Sequence, residues 1–133
     1  MTTPDTSVVV AAFARWHEQH EAARAAVREA EALVAPVAVE SFSVLTRLPP
    51  PHRASPEIVV AFLDHHFPRP FLLLDAEGFR RLLDTAMERR ILGGRIYDAL
   101  VAVTAAAAGA TLVSLDERAA STYAALACPY RLL

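Results

Sequence analysis

Several residue types are missing or scarce in this chain, and each absence narrows its chemistry. The 133 residues contain no lysine and no asparagine, so all 13 basic residues are arginine. A phosphate-binding P-loop, a Schiff-base enzyme and a receiver domain each need a lysine amine at the reacting centre. Only four glycines occur, and they form no G-x-G-x-x-G motif. These chemistries and dinucleotide binding therefore have no support in the sequence.

Cysteine and long apolar runs are equally scarce. The single cysteine, Cys128, allows no internal disulfide and no cysteine-based zinc site, and we interpret it as a small apolar filler. The longest apolar stretch, residues 99–113, is shorter than the roughly 18 to 20 residues that span a bilayer, and the chain starts without a basic segment. We therefore expect a cytoplasmic protein that has no membrane partner.

The charge balance offers no general attraction for nucleic acid. The formal net charge is −2, so an RNA or DNA partner would have to be held by a local patch of arginines. A hydrophobic fraction of 54% with 21% charged residues is compatible with a real core and excludes a disordered chain. The length fits one domain, and we assign residues 1–133 to it.

Hydrophobic periodicity predicts short strands that alternate with helices. The predicted helices are 6–14, 16–32, 37–48, 56 to about 66, one that follows Asp75, 96–108, and 117 to about 127. The predicted strands are 33–36, 71–74, 111–115 and 130–133. In the helix after Asp75, one stripe is expected to face the core: Phe79, Leu82, Leu83, Ala86 and Met87. This alternation predicts an α/β fold, a three-layer α/β/α sandwich with a short parallel central sheet.

Four acidic residues are predicted to meet at one edge of this sheet. Asp5 and Asp116 each follow a strand position and precede a helix, which places them beyond the carboxyl ends of the strands. Glu40 lies near the start of the helix after strand 33–36, and Asp98 lies near the start of the helix that leads into strand 111–115. Topology alone therefore brings the four acids toward the same rim.

Such a cluster has a chemical consequence. Two carboxylates about 4 Å apart repel by roughly 4 kcal/mol at an effective dielectric near 20, so the cluster needs a cation or shared protons. Oxygen ligands without cysteine or clustered histidine suit Mg²⁺ or Mn²⁺, which can activate a water for attack on phosphorus. The alternative is that Asp5, Asp75 and Asp116 are only helix caps and that Glu40 is solvated. Asp98 fits that alternative less well, because its neighbours are apolar.

The segments around these acids form a recognisable series. They are D-T-S from Asp5, Glu40 followed by Arg47, R-I-Y-D-A-L from Arg95, and L-V-S-L-D ending at Asp116. In this order, over nearly the whole chain, they resemble the motifs of PIN-domain ribonucleases. The chain length and the G-R-x-x-D-A-L form resemble the VapC toxins of bacterial toxin–antitoxin pairs. The polar start of the chain departs from the family pattern and includes Pro4, so we expect a first strand that is frayed or begins late.

The resemblance implies an endoribonuclease that depends on Mg²⁺ or Mn²⁺ and acts on structured RNA such as transfer or ribosomal RNA. It also implies a homodimer and a cognate VapB-type antitoxin that holds the enzyme inactive. The implied catalytic residues are Asp5, Glu40, Asp98 and Asp116, and the implied metal ligands are Asp5, Asp98 and Asp116. Thr6 and Ser7 match supporting polar positions, and Asp75 falls on an outlying strand, which favours its capping role.

Basic residues near this rim are candidates for binding a partner. Arg47, Arg53 and Arg95 are the arginines nearest to it in this arrangement, and a guanidinium can bind two phosphate oxygens together. We expect Arg95 and Arg47 to contact RNA or the antitoxin, while the alternative for Arg95 is an exposed arginine paired with a nearby acid. His17 and His20 are spaced to share a helix face, but no third zinc ligand has matching spacing.

Three functions therefore compete. The first is the metal-dependent endoribonuclease, and the second is a non-catalytic α/β binding module whose acids are helix caps. The third, a metal-dependent phosphohydrolase of small molecules, is weakened by the missing lysine. If the aspartates only cap helices, their replacement by asparagine costs a fraction of a kcal/mol. At a metal site, the same replacement relieves repulsion and stabilises the metal-free protein.

Overall fold

The computed structural model describes residues 1–133. Seven helices and three strands follow one another along the chain. In order they are β1 (Thr2–Pro4), α1 (Thr6–Phe13), α2 (His20–Glu29), α3 (Ala35–Thr46), α4 (Pro56–His66), α5 (Ala76–Arg89), α6 (Arg95–Ala107), β2 (Thr111–Ser114), α7 (Glu117–Ala125) and β3 (Tyr130–Leu132). None of the helices has a segment long and apolar enough to cross a bilayer.

The three strands form one parallel sheet in the order β1-β2-β3, with Thr3 opposite Leu112 and Val113 opposite Arg131. Leu112 and Val113 are neighbours in β2, so their side chains point to opposite faces of the sheet. Both are almost fully buried, at 0% and 1% exposure, so helices cover both faces at this strand. The predicted α/β sandwich with a short parallel sheet is confirmed.

The first strand is fully formed, contrary to the expectation that it is frayed or begins late. Thr111 donates its backbone NH to the Met1 carbonyl, and Asp5 donates its NH to the Val113 carbonyl, both at 2.9 Å. Alternate NH groups of a strand point to opposite sides, so the nitrogen of Pro4 points away from β2. Proline therefore removes no hydrogen bond between β1 and β2. The strand ends at Pro4, which leaves Asp5 at the carboxyl edge of the sheet.

Two predicted strands, 33–36 and 71–74, are not formed as strands. They are reduced to one isolated parallel bridge between Val34 and Leu72. Pro36 lies in the first turn of α3, where its fixed φ suits a helix, so the chain leaves the extended conformation at Ala35. The segment still lies beside the sheet, because Glu31 donates its backbone NH to the Thr2 carbonyl at 3.2 Å.

Two helix predictions also need correction. The predicted helix 16–32 begins only at His20, because residues 14–19 form turns in which the His17 NH donates to the Ala14 carbonyl. It also ends early, at Glu29, because Ala30 is extended. The predicted inner stripe of α5 is only partly buried: Leu82 and Ala86 are covered. Three of its members are exposed instead: Phe79, Leu83 and Met87. The reason is that α5 packs mainly against α6 alone, which covers a narrow strip of its surface.

Candidate active site

A small cleft lies at the carboxyl edge of the sheet, and all four predicted acids line it. We call it the acidic cleft; its volume is about 40 Å³, enough for a few water molecules. Its lining residues are Asp5, Thr6, Ser7, Glu40, Asp98, Val101, Asp116, Ala119 and Tyr123. The structure therefore brings together the acids that the sequence places far apart.

Strand ends and helix starts position these four side chains. Asp5 follows β1 and is the N-cap of α1, while Asp116 follows β2 and is the N-cap of α7. Asp98 lies in the first turn of α6, and Glu40 lies in the second turn of α3. Because parallel strands end at the same edge, the caps that follow them are neighbours, and α3 and α6 add one acid each.

Asp5 is the most enclosed of the four, with only 3% exposure. Its Oδ1 accepts hydrogen bonds from the Ser7 hydroxyl and from the Val8 NH, the latter at 3.3 Å. Its Oδ2 accepts a hydrogen bond of 2.9 Å from the Tyr123 hydroxyl. Ser7 is fixed in turn, because its Oγ accepts the Leu115 NH at 2.9 Å. The fold therefore holds this carboxylate from several directions.

Asp5 and Asp116 each cap a helix and also line the acidic cleft. Asp116 Oδ1 accepts the backbone NH groups of Arg118 and Ala119, at 2.9 and 3.3 Å, while the residue stays exposed at the rim. Asp75 caps α5 in the same way, with the Gly78 NH 2.6 Å from its Oδ1. Asp75 does not line the cleft, however, which agrees with the pure capping role predicted for it.

The electrostatics of the cleft record crowding of negative charge. Burial raises the pKa of Asp98 to about 6, and the nearby carboxylates of Asp116, Glu40 and Asp5 add to the rise, whereas Arg95 opposes it. Desolvation also raises the pKa of the Glu40 carboxyl, although this residue lies at the exposed rim. The positive charges of Arg95 and Arg47 do not fully offset the negative charge of the four acids. The cleft therefore favours an added positive charge or a retained proton.

The donor set fits a hard cation by its chemistry. Every ionisable group in the cleft other than the Tyr123 phenol is a carboxyl, and oxygen ligands suit Mg²⁺ or Mn²⁺. No three acidic, histidine or cysteine side chains anywhere in the protein form a ready-made metal site. A cation in this cleft would therefore keep several of its own waters, as Mg²⁺ commonly does.

Comparison with known protein families matches residues 3–125 to the PIN domain. The chain belongs to the PIN-domain family. It is 53% identical over 123 residues to Ribonuclease VapC40 of Mycobacterium tuberculosis, from strains CDC 1551 / Oshkosh and ATCC 25618 / H37Rv, and the alignment covers 92% of this chain and 92% of the relative. It is 41% identical over 121 residues to Ribonuclease VapC27 of strain H37Rv, covering 90% of this chain and 87% of the relative. The predicted resemblance to VapC-type PIN domains is confirmed.

Two of the three candidate arginines in this PIN domain influence the acids of the cleft. Arg95 lowers the pKa of Asp98 and Arg47 lowers that of Glu40, in each case as a smaller effect than burial. Neither forms an ion pair with an acid, so both guanidinium groups stay available at the rim. Arg53 instead donates to the Leu48 carbonyl at 2.9 Å, which ties it to the loop after α3.

The histidine pair does not form a zinc site. The Nδ1 of His17 accepts the Gln19 NH at 3.0 Å, and the Nδ1 of His20 lies 2.9 Å from the Ala11 carbonyl oxygen. Both rings are therefore held by the backbone, and no third ligand joins them. Cys128 is buried, as a filler role requires, and burial raises the pKa of its thiol to about 11.

Sequence reasoning missed one polar residue of the cleft, Tyr123. Its ring is buried in the core and its hydroxyl reaches Asp5, and burial raises the pKa of this phenol above its ordinary value. Within α7 it is one of several residues with an apolar body, and nothing in its spacing marks it as part of the site.

An apolar groove was missed as well. This groove has a volume of about 780 Å³ and meets the acidic cleft at Glu40 and Asp98. Its apolar lining includes exposed side chains from α3, α5, α6 and the segment before α5: Val39, Phe79, Tyr97 and Leu73. The sequence had indicated Phe79 as core, because helical periodicity identifies an apolar face without saying whether anything covers it.

Proposed function

We propose that this PIN domain is a metal-dependent endoribonuclease that hydrolyses phosphodiester bonds in structured RNA. The catalytic acids in this proposal are Asp5, Glu40, Asp98 and Asp116. The observation that carries it is the meeting of four carboxylates in one small cleft, where burial, together with the neighbouring acids, raises the pKa of Asp98 to about 6. The curated relatives, named as ribonucleases, support the choice of RNA as substrate.

The proposed metal ligands are Asp5, Asp98 and Asp116, with Mg²⁺ or Mn²⁺ as the cofactor. When bound, such an ion would neutralise charge on the phosphate and lower the pKa of an attacking water. The chain supplies the arrangement around it: β1 and β2 aim two of the carboxylates from the sheet edge, and α6 adds the third. The oxygen-only ligand set and its uncompensated charge support this assignment.

Glu40 has a different proposed role, that of a general base that orients the water and accepts its proton. Its raised pKa makes it a better proton acceptor at neutral pH than an ordinary glutamate. The hydroxyl of Thr6 lies beside it and favours its ionised form, and Ser7 supports Asp5. Arg47 and Arg95 would bind phosphate groups of the RNA, or the antitoxin, at the rim.

The wider biological proposal is that residues 1–133 act as one domain, the toxin component of a type II toxin–antitoxin pair in the cytoplasm. Its partners would be RNA, a cognate VapB-type antitoxin and a second copy of the chain in a homodimer. The VapC names of the relatives support this assignment. The apolar groove next to the cleft is also compatible with a protein partner.

The decisive experiment is an RNA cleavage assay with the purified chain, free of any antitoxin, at graded Mn²⁺ or Mg²⁺ concentrations. We expect cleavage that EDTA abolishes, and a loss on the order of 10³-fold in Asp98→Asn, because the metal interaction supplies several kcal/mol of transition-state stabilisation. Asp84→Asn makes the same chemical change on the exposed face of α5 and should leave cleavage unchanged.

The competing function is a non-catalytic binding module. It is favoured by the capping bonds of Asp5 and Asp116 and by the lack of a ready-made metal site. It predicts intact RNA at every metal concentration. That result, with a correctly folded protein, would refute the nuclease proposal.

A further inference from the structure

A buried hydrogen bond joins the last helix of the protein to its first strand. The hydroxyl of Tyr123, in α7, donates to Oδ2 of Asp5 at the end of β1, with 2.9 Å between the oxygens. Both residues are almost completely buried, with 1% exposure for the tyrosine and 3% for the aspartate. The bond is therefore shielded from bulk solvent, and the hydroxyl makes no other hydrogen bond.

The donors around Asp5 leave little freedom to its carboxylate. An ionised carboxylate has about four acceptor positions, two on each oxygen. Ser7 and Val8 occupy Oδ1, and Tyr123 occupies one position of Oδ2. One acceptor position is left on Oδ2. Since Asp5 lines the acidic cleft, this is the position available to a ligand there.

The tyrosine ring is itself held firmly. It belongs to the main hydrophobic core and packs edge to face with Tyr130, with ring centres 6.3 Å apart. The backbone after it is also fixed, because the Cys128 NH donates to the Tyr123 carbonyl at 2.9 Å. The hydroxyl is therefore a fixed donor, in contrast to a hydroxyl on a mobile surface side chain.

We propose that Tyr123 is a positioning residue, whose hydroxyl fixes the rotation of the Asp5 carboxylate so that Oδ2 keeps one lone pair directed into the acidic cleft. The inference rests on the proposed function, in which Asp5 is a metal ligand. Hydrogen bonds of this kind, which orient a ligand without touching the metal, contribute about 10- to 100-fold to metal affinity or activity. Tyr123 would thus act through Asp5 and would make no contact with RNA.

Tyr123→Phe tests the proposal, because it removes the hydroxyl and keeps the ring. We expect the dissociation constant for Mn²⁺, measured by calorimetry on the metal-free protein, to rise by about 10- to 100-fold. The kcat for RNA cleavage should fall by a similar factor, while KM for RNA stays unchanged. Tyr130→Phe is the matched control: it lies in the same aromatic pair, is 39% exposed and makes no bond to the cleft, so both quantities should stay at wild-type values.

A purely structural tyrosine predicts a different result. Tyr123→Phe would then melt at a lower temperature but bind Mn²⁺ and turn over RNA like the wild type at temperatures well below melting, and this would overturn the proposal. A wild-type chain that neither binds Mn²⁺ nor cleaves RNA would refute the proposed function instead. In that case a crystal structure of Tyr123→Phe still decides: a rotated Asp5 carboxylate supports positioning, and an unchanged one overturns it.

Discussion

Asp5 and Asp98 line the same acidic cleft, but their carboxylates are stabilised in different ways. Asp5 is buried and accepts hydrogen bonds from Ser7, Val8 and Tyr123. Asp98 is half-buried, none of its oxygens accepts such a bond, and its pKa is raised to about 6 by burial and by neighbouring acids. Hydrogen-bond donors of the fold thus stabilise the charge of Asp5, whereas the charge of Asp98 needs a bound cation or a proton to be stabilised.

This contrast separates structural from electrostatic roles within one site. A carboxylate that satisfies several buried donors contributes to folding, because its loss leaves those donors unpaired. A carboxylate crowded by like charges opposes folding when it is ionised, because it repels its neighbours. Removal of the two side chains should therefore change stability in opposite directions, and substitutions can test this.

The largest effect is expected for Asp5→Ala. The substitution leaves the buried hydroxyl of Tyr123 without an acceptor and removes the cap of α1, so we expect a loss of about 3 kcal/mol in the free energy of unfolding. Asp116→Ala removes a cap at the exposed rim and should cost about 1 kcal/mol at most. Urea denaturation of both variants without metal measures the difference. Equal losses would show that burial does not distinguish these two acids.

A smaller effect of opposite sign is expected for Asp98→Asn. The native state raises the pKa of Asp98, so it binds a proton more tightly than the unfolded chain does. Wild-type stability without metal should therefore fall as pH rises from about 4 to about 6, and stay reduced above that range. At pH 7.5 the variant should be more stable than the wild type by about 1 kcal/mol, after allowance for solvent screening of this half-buried group.

Thermal melts of the wild type and Asp98→Asn across this pH range test whether stability falls with rising pH, as predicted. The variant should lose the part of the slope between about pH 4 and pH 6 that belongs to Asp98. Added Mn²⁺ should stabilise the wild type more than the variant at pH 7.5, because a bound ion stabilises the native state by mass action. A variant less stable than wild type at neutral pH without metal would contradict the crowding argument.

The smallest effect is expected at Asp75, which caps α5 outside the cleft. Asparagine caps a helix as well as aspartate does, so Asp75→Asn should change the free energy of unfolding by only a few tenths of a kcal/mol. Its stability should also respond to Mn²⁺ as the wild type does. If Asp75→Asn stabilised the protein as much as is expected for Asp98→Asn, the gain would come from the lower net negative charge of the protein. Crowding inside the cleft would then not explain it.

The convergence of the four acids could be predicted because it depends on topology. Strand ends and helix starts are marked by residue type, and parallel strands end at one edge, so Asp5 and Asp116 were expected at the same edge. Glu40 was placed there through strand 33–36, which is not formed, although α3 still begins beside the sheet. The same local signals identified Asp75 as a cap. Their catalytic and metal-binding roles stay predictions until the experiments above are done.

Features that depend on which other helices or strands pack against a segment could not be predicted from the sequence. Helical spacing indicated Phe79 and Met87 as core, yet both are exposed because α5 packs mainly against α6. The apolar segment 33–36 had strand composition, but α3 begins at Ala35 and Pro36 lies in its first turn. Tyr123 was missed because a single tyrosine in a helix carries no sign of which distant carboxylate its hydroxyl will reach.

The position of β1 has a consequence for biosynthesis. Asp5 is synthesised before the strand beside it, the cap at Asp116 and the phenol that holds it, and Tyr123 follows 118 positions later. A nascent chain therefore carries the Asp5 carboxylate without the surroundings that complete the pocket until α7 has been made. In the proposed nuclease, the ribosome therefore meets no complete acidic cleft until α7 has been synthesised.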